Sequence, residues 1–111
     1  AVAREFTDNG QIALIVPKSG EIWQLLFPIA KVTEGSVSTT VEYEFWLQDN
    51  ATSVQYRIYF YSSTSSSPIP NEDSSLWSAP LFIGEGQTLY GEIGAFSATK
   101  IQWGVLAGRV R

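Results

Sequence analysis

Residues 39–61 read TTVEYEFWLQDNATSVQYRIYFY, and this stretch decides the fold of the chain. Apolar and polar residues alternate on both sides of the turn-forming pair Asp49-Asn50. Such alternation is typical of two half-buried antiparallel strands joined as a β-hairpin. The predicted inner face of this hairpin carries Val41, Tyr43, Phe45, Leu47, Val54, Tyr56, Ile58 and Phe60.

The simplest register of the hairpin pairs Gln48 with Ser53. That register places Glu44 directly opposite Arg57 on the outer face. Opposite charges facing each other across two strands contribute roughly a few tenths of a kcal/mol, whereas a slip by one residue would move every apolar side chain to the wrong face. The charged pair and the apolar pairs therefore support the same register.

Further patterned segments lie on both sides of the hairpin. In residues 21–31 we expect a strand that bends at Pro28, because proline lacks a backbone donor. Trp23, Leu25, Phe27 and Ile29 are expected to share one face of this strand, with Ile22, Gln24 and Leu26 on the other. The last strand, over residues 100–110, is expected to bury one face, formed by Ile101, Trp103, Val105 and Ala107. Shorter strands are predicted over residues 12–16, 76–83 and 88–93.

These segments predict an all-β protein with seven to eight strands and no significant helix, folded as an antiparallel β-sandwich or jelly roll. One domain is expected over residues 10–111. Residues 1–9 are predicted to form an N-terminal arm. Residues 62–75, rich in Ser and Pro, are predicted to form a long exposed loop.

The composition is that of a globular domain, with 44% hydrophobic residues and no cysteine, so the core must be stable without disulfides. No apolar run is long enough to span a membrane. Charged residues near the N-terminus stand where a signal peptide would be apolar, so we expect synthesis in a cytoplasm without secretion. The net charge of −4 and the scattered basic residues disfavour nucleic-acid binding.

The chain has neither histidine nor cysteine, which removes the commonest general base, thiol nucleophiles and the usual zinc ligands. The carboxylate pairs Glu42/Glu44 and Glu85/Glu92 are interpreted as solvated charges rather than as a hydrolytic site. Turn chemistry accounts for Asp8-Asn9, Asp49-Asn50 and Asn71-Glu72-Asp73 better than a calcium site does. We therefore expect no catalysis, no metal and no cofactor.

Aromatic residues give a more specific hypothesis. The predicted outer face of the hairpin carries Trp46, Tyr59 and Tyr61 beside Arg57. Amphipathic aromatic residues on a polar face are typical of a protein interface or of a platform for stacking sugars. Alternatively, this face is the second buried side of the sandwich, or it is covered by the arm or the Ser-rich loop.

The order of these segments is similar to that of a known class of protein. The arm leads to a strand and to residues 15–23, IVPKSGEIW; after the hairpin, Pro80-Leu81-Phe82-Ile83 leads to residues 86–91, GQTLYG, and the last strand ends near Gly108. In this layout the chain resembles the small β-sandwich virion proteins of tailed bacteriophages, particularly those that decorate or cement capsids. Tail-fibre, collar and neck proteins share the same layout.

The resemblance implies a non-enzymatic role in a virion assembled in the host bacterial cytoplasm. The implied partner is the major capsid protein or another virion protein, and the implied state is a homo-oligomer, with a trimer favoured. The arm, with Arg4 and Phe6 as candidate contact residues, is expected to reach a neighbouring subunit. The alternative is a carbohydrate-binding module, or a receptor-binding tail-fibre or neck component, that stacks a glycan on the aromatic residues.

Overall fold

Eight strands form two four-stranded antiparallel sheets in the computed structural model, which describes residues 2–66 and 81–111. No helix occurs within those two ranges. The predicted all-β, antiparallel sandwich is confirmed. The strands are β1 (Val2–Phe6), β2 (Gly10–Ile15), β3 (Ile22–Glu34), β4 (Val41–Asp49), β5 (Val54–Ser63), β6 (Leu81–Gly84), β7 (Gln87–Gly94) and β8 (Lys100–Arg109).

The strand order is β1-β8-β3-β6 in sheet one and β2-β7-β4-β5 in sheet two. Four of the antiparallel pairs join strands symmetrically about the middle of the chain: β1 with β8, β2 with β7, β3 with β6, and β4 with β5. The chain thus folds as one long ribbon whose tip is the β4–β5 hairpin. Wrapping this ribbon adds the β3–β8 and β4–β7 pairs and gives the jelly-roll arrangement of two packed sheets.

The core lies between the sheets and is built around Trp103 of β8. Its indole stacks on Phe45 of β4, with ring centroids 4.4 Å apart, and lies 5.2 Å from Tyr43. The indole Nε1 donates a hydrogen bond of 2.9 Å to the backbone oxygen of Glu44, so the only polar atom of this buried ring has a partner. The buried face predicted for β8 is confirmed, since Ile101, Trp103 and Val105 are fully buried.

The register of the hairpin differs from the predicted one by two residues. Gln48 pairs with Gln55, not Ser53, because the turn occupies residues 50–53. Ser53 adopts a left-handed conformation there (φ 59°), and its amide donates to the oxygen of Asp49. A β-bulge follows, since Trp46 pairs with Arg57 while Phe45 pairs with Tyr59, leaving Ile58 as the extra residue.

This bulge exchanges the two faces of β5 beyond Ile58. Tyr59 and Tyr61 point to the inner face, opposite Phe45 and Tyr43 of β4, whereas Phe60 lies outside and is 45% exposed. The prediction that Tyr59 and Tyr61 share the outer face with Trp46 is therefore wrong. On β4, which carries no extra residue, the predicted inner face is correct.

A second bulge has the same effect on β3. Leu25 pairs with Ala107 and Phe27 with Leu106, so Leu26 is the extra residue. Beyond it, Pro28, Ala30 and Val32 face inward, and Phe27 and Ile29 face outward. The prediction that Phe27 and Ile29 share a face with Trp23 and Leu25 is therefore wrong. Among the described residues, β6 pairs with residues 22–25 of β3.

The N-terminal segment is part of the sandwich. Val2–Phe6, predicted to belong to an arm, pairs with β8 along its length as the edge strand of sheet one, and Phe6 is buried in the core. Gly104 of β8 permits this approach, since a Cβ there would overlap the backbone of Val2 and Ala3. Of the Ser-rich loop predicted over 62–75, the first two residues continue β5. Residues 67–75, and residues 76–80 of the strand predicted to follow, lie outside the described residues.

Candidate functional site

The structure separates the six candidate contact residues. Trp46 and Arg57 are direct cross-strand neighbours on the outer face of sheet two. Tyr59 lies in the core, and Tyr61 packs against it from the inner face. Phe6 is buried, and Arg4 is exposed on the edge strand β1, where it donates to the oxygen of Ala3. These six residues therefore do not form one surface.

The outer face of sheet two, here called the polar face, is centred on Glu44. Arg57 Nη1 lies 3.0 Å from Glu44 Oε1, so the predicted ion pair forms, although across a diagonal of the ladder rather than directly. Glu44 is only 6% exposed, whereas it was expected to be a solvated charge. Arg57 also lies over the ring of Phe60, 4.8 Å from its centroid. The salt bridge thus stabilises a carboxylate that the sheet has largely removed from water.

A second carboxyl group faces Glu44 from the neighbouring strand. Glu92 of β7 is the direct cross-strand partner of Glu44, so the two carboxyl groups are neighbours that can share a hydrogen bond only when one of them is protonated. Burial, followed by this hydrogen bond and the negative charges of Glu44 and Glu42, raises the pKa of Glu92. Gln11 Nε2 opposes that rise by donating a bond of 2.9 Å to Glu92 Oε1.

Amide side chains complete the polar face. Gln11 and Gln55 exchange hydrogen bonds of 2.9–3.0 Å, and Gln55 donates to Gln48 at 3.1 Å. Trp46 lies beside Tyr90 of β7 in the ladder. The indole Nε1 of Trp46 is buried and has no acceptor among the described residues. Most polar groups of this face therefore bind one another.

The outer face of sheet one has a different character. It carries Ala3 of β1, Leu106 of β8, Phe82 of β6, and Phe27 and Ile29 of β3, which together we call the apolar face. Phe82 is 49% exposed, and the other four are partly exposed. A depression of about 220 Å³ lies at one side, lined by Ala3, Ile29, Ala30, Lys31 and Gln102. The sequence interpretation missed this face because the Leu26 bulge that creates it has no signature in residue type.

The turn segments considered for calcium have internal hydrogen-bond partners. Asn9 Oδ1 accepts a 2.7 Å bond from the amide of Phe96, and Asp49 Oδ1 accepts a 3.0 Å bond from that of Ala51. Asn71-Glu72-Asp73 lies outside the described residues. Within residues 2–66 and 81–111, no group of three or more acidic side chains is arranged to hold a metal ion.

The part of the chain that the structure describes contains no helix long and apolar enough to cross a membrane.

No protein-family model, no curated protein sequence and no solved structure matches this chain.

Proposed function

We propose that the protein is a non-enzymatic structural component of a bacteriophage virion, of the capsid decoration type. In this proposal it binds the major capsid protein or another virion protein through the apolar face and stabilises the particle. The observation that carries the proposal is the apolar face itself. The resemblance in segment order supplies the kind of particle.

The composition of the apolar face supports a protein partner. Its centre is made of Ala3, Phe27, Ile29 and Leu106, with Gly104 directly opposite Ala3, and Phe82 lies on the edge strand β6 opposite Gln24. Around it lie Glu5, Gln24, Lys31 and Gln102 on the same outer side of the sheet. An apolar, aromatic centre within a polar rim is the usual anatomy of a protein–protein interface. Burying such a centre against a partner releases water from apolar surface, which drives association.

The polar face supports a role without catalysis. Glu44 binds Arg57, Glu92 accepts a hydrogen bond from Gln11, and the glutamines bind one another. A substrate placed there would first have to break these bonds, and each bond to a charged group contributes roughly 1.5–3 kcal/mol. The chain supplies no histidine or cysteine to act as base or nucleophile. Contact, rather than chemistry, is the function that this arrangement favours.

Binding to particles assembled without this protein tests the proposal. We expect saturable, stoichiometric binding to capsids of the encoding phage and a higher melting temperature of the bound capsid. Phe82→Gln should weaken this binding at least tenfold because it replaces the most exposed side chain of the apolar face with an amide. Phe60→Gln is the matched control, since Phe60 is exposed to a similar extent on the opposite sheet.

Absence of binding to any capsid, tail or neck assembly would refute the proposal. An equal loss in both variants would refute the role of the apolar face. Binding to tails or necks but not to capsids would instead identify the alternative, a tail-fibre or neck component. Light scattering on the purified protein would test the homo-oligomer, for which the resemblance favours a trimer.

A further inference from the structure

An open groove lies at the end of the sandwich where the turn between β4 and β5 meets the turn between β6 and β7. The register places Leu47 opposite Tyr56 and Leu89, and Asp49 opposite Val54 and Gln87, all on the inner side of sheet two. Leu89 is fully buried, Leu47 is partly buried, and Tyr56 is 63% exposed. The inner face of sheet two therefore becomes more exposed toward this end. The end groove has a volume of about 420 Å³ and is lined by Leu47, Asp49, Ala51, Tyr56, Glu85, Gly86 and Gln87.

Three polar side chains of the end groove are held by backbone amides. Asp49 Oδ1 accepts from Ala51 N at 3.0 Å, and Gln87 Oε1 accepts from Gly84 N at 3.0 Å. Glu85 Oε1 accepts from Gly20 N at 3.3 Å and from the Ser19 hydroxyl at 3.4 Å. These bonds involve only one of the two terminal atoms of each side chain. Within the described residues, the second carboxylate oxygens of Asp49 and Glu85 and the amide nitrogen of Gln87 form no hydrogen bond.

We propose that the end groove binds one ring of a neutral saccharide. The exposed ring of Tyr56 provides a flat apolar surface for the C–H face of a pyranose, and Leu47 and Ala51 extend that surface. The second oxygens of Asp49 and Glu85 accept hydrogen bonds from ring hydroxyls, and the Gln87 amide donates one. Because the polar groups are already held in place, little side-chain freedom is lost on binding.

The charge of the lining selects among saccharides. Two carboxylates line the groove, and none of its lining residues is Lys or Arg. Uronic acids, sialic acids and phosphorylated sugars would be repelled. A lone ammonium group would be attracted by the carboxylates but would leave the apolar surface of Leu47, Ala51 and Tyr56 uncovered. The proposal is independent of the virion role, since the groove and the apolar face lie on different parts of the molecule.

A glycan array with the full chain tests this inference, using neutral oligosaccharides together with amino-sugar and uronic-acid glycans. We expect binding to a subset of neutral glycans and none to the acidic ones. Titration of the isotopically labelled protein with the best neutral glycan should shift the amide signals of Ala51 and Gly86. These amide shifts locate the site without any mutation.

Two variants then assign the contacts. Tyr56→Ala should weaken binding about tenfold or more by removing the stacking surface, and Glu85→Gln should weaken it severalfold by replacing a charged acceptor with a neutral amide. Phe60→Ala, which removes an exposed ring on the opposite side of sheet two, should leave binding unchanged. The inference is overturned if no neutral glycan binds, if only amine-bearing glycans bind, or if the shifted signals lie elsewhere.

Discussion

The two outer faces of the sandwich differ in how far their side chains interact within the chain. On the polar face, Glu44 binds Arg57, and Glu92 accepts a hydrogen bond from Gln11. On the apolar face, Phe27, Ile29, Phe82 and Leu106 have partly exposed surface that no polar bond can satisfy. A partner on the polar face must replace existing bonds, whereas a partner on the apolar face displaces only water. This difference is the reason for proposing the apolar face as the docking surface.

The largest effect is expected at Gly104, which allows β1 to pack closely against β8 beside the apolar face. Gly104→Ala should destabilise the protein by about 1–3 kcal/mol, because its Cβ would overlap the backbone of Val2 and Ala3 and push β1 off the sheet. Gly108→Ala is the control from the same strand, since a Cβ there meets nothing within 4 Å. Urea denaturation of both variants measures the difference. Equal free energies of unfolding would show that β1 is not held by this close approach.

The next largest effect is expected from the ion pair of the polar face. Arg57→Gln should cost about 1–2 kcal/mol at pH 7, because it leaves the buried carboxylate of Glu44 beside Glu92 without a cation. Arg109→Gln is the control, since Arg109 also forms a 3.0 Å bridge, to Glu21. The side chain of Glu21 is 17% exposed, compared with 8% for Glu44. A loss in the control as large as that in Arg57→Gln would contradict the importance of burial.

Glu92→Gln is expected to stabilise the protein. Like charges directly opposite in a ladder are unfavourable, so removing one should add about 0.5–1 kcal/mol at pH 7, because the new amide can donate to Glu44 and still accept from Gln11. Because the pKa of Glu92 is raised in the folded protein, the protonated form of Glu92 favours the folded state. This contribution to the free energy of unfolding is present below pH 4.5 and is lost as the pH rises through the folded-state pKa. The gain should therefore disappear near pH 4.

Thermal unfolding at several pH values measures this dependence. Glu42→Gln is a control on the same face, one row from the pair, and its effect should be smaller. A gain for Glu92→Gln that is equal at pH 4 and pH 7 would show that the two carboxyl groups do not interact.

The smallest effects contrast one exposed phenylalanine on each face. Phe82→Gln should change the stability of the monomer by less than about 0.5 kcal/mol, as for an ordinary surface substitution. Phe60→Gln should cost about 0.5–1 kcal/mol because Arg57 loses the ring beneath it. Chemical denaturation at low protein concentration separates these values. A larger loss of stability in Phe82→Gln than in Phe60→Gln would contradict the interpretation that Phe60 interacts within the chain and Phe82 does not.

Period-two alternation of apolar and polar residues predicted the buried face correctly where a strand has no extra residue. It placed Val41, Tyr43 and Phe45 of β4 and Trp103 of β8 correctly in the core. It failed beyond Ile58 on β5 and beyond Leu26 on β3, because one extra residue exchanges the faces and any residue type can occupy a bulge. The hairpin register failed for a related reason, since the left-handed residue of the turn is Ser53 and not a glycine.

The candidate site was predictable to the same limited extent. The contact of Glu44 with Arg57 follows from their shared face on one hairpin and is confirmed. The contact of Glu44 with Glu92 depends on the pairing of β4 with β7, strands that are distant in the sequence, and a local pattern carries no information about it. The end groove likewise depends on the meeting of the β4–β5 turn with the β6–β7 turn, which are distant in the sequence. A local pattern therefore predicts which side chains share one face of a strand or hairpin. Only the sheet topology shows which strands distant in the sequence come together.

The ribbon topology has a consequence for biosynthesis. Strand β8 lies between β1 and β3 in sheet one, yet Lys100–Arg109 is the last strand to leave the ribosome. Until then β1 has no partner in its own sheet, and Trp103, the centre of the core, is missing. The β4–β5 hairpin can pair early because its contacts are local, whereas pairing of Val2 with Val105 requires nearly the whole chain. Folding of this jelly roll is thus expected to be completed only after β8 has been synthesised, and β1 stays unpaired in its sheet until then.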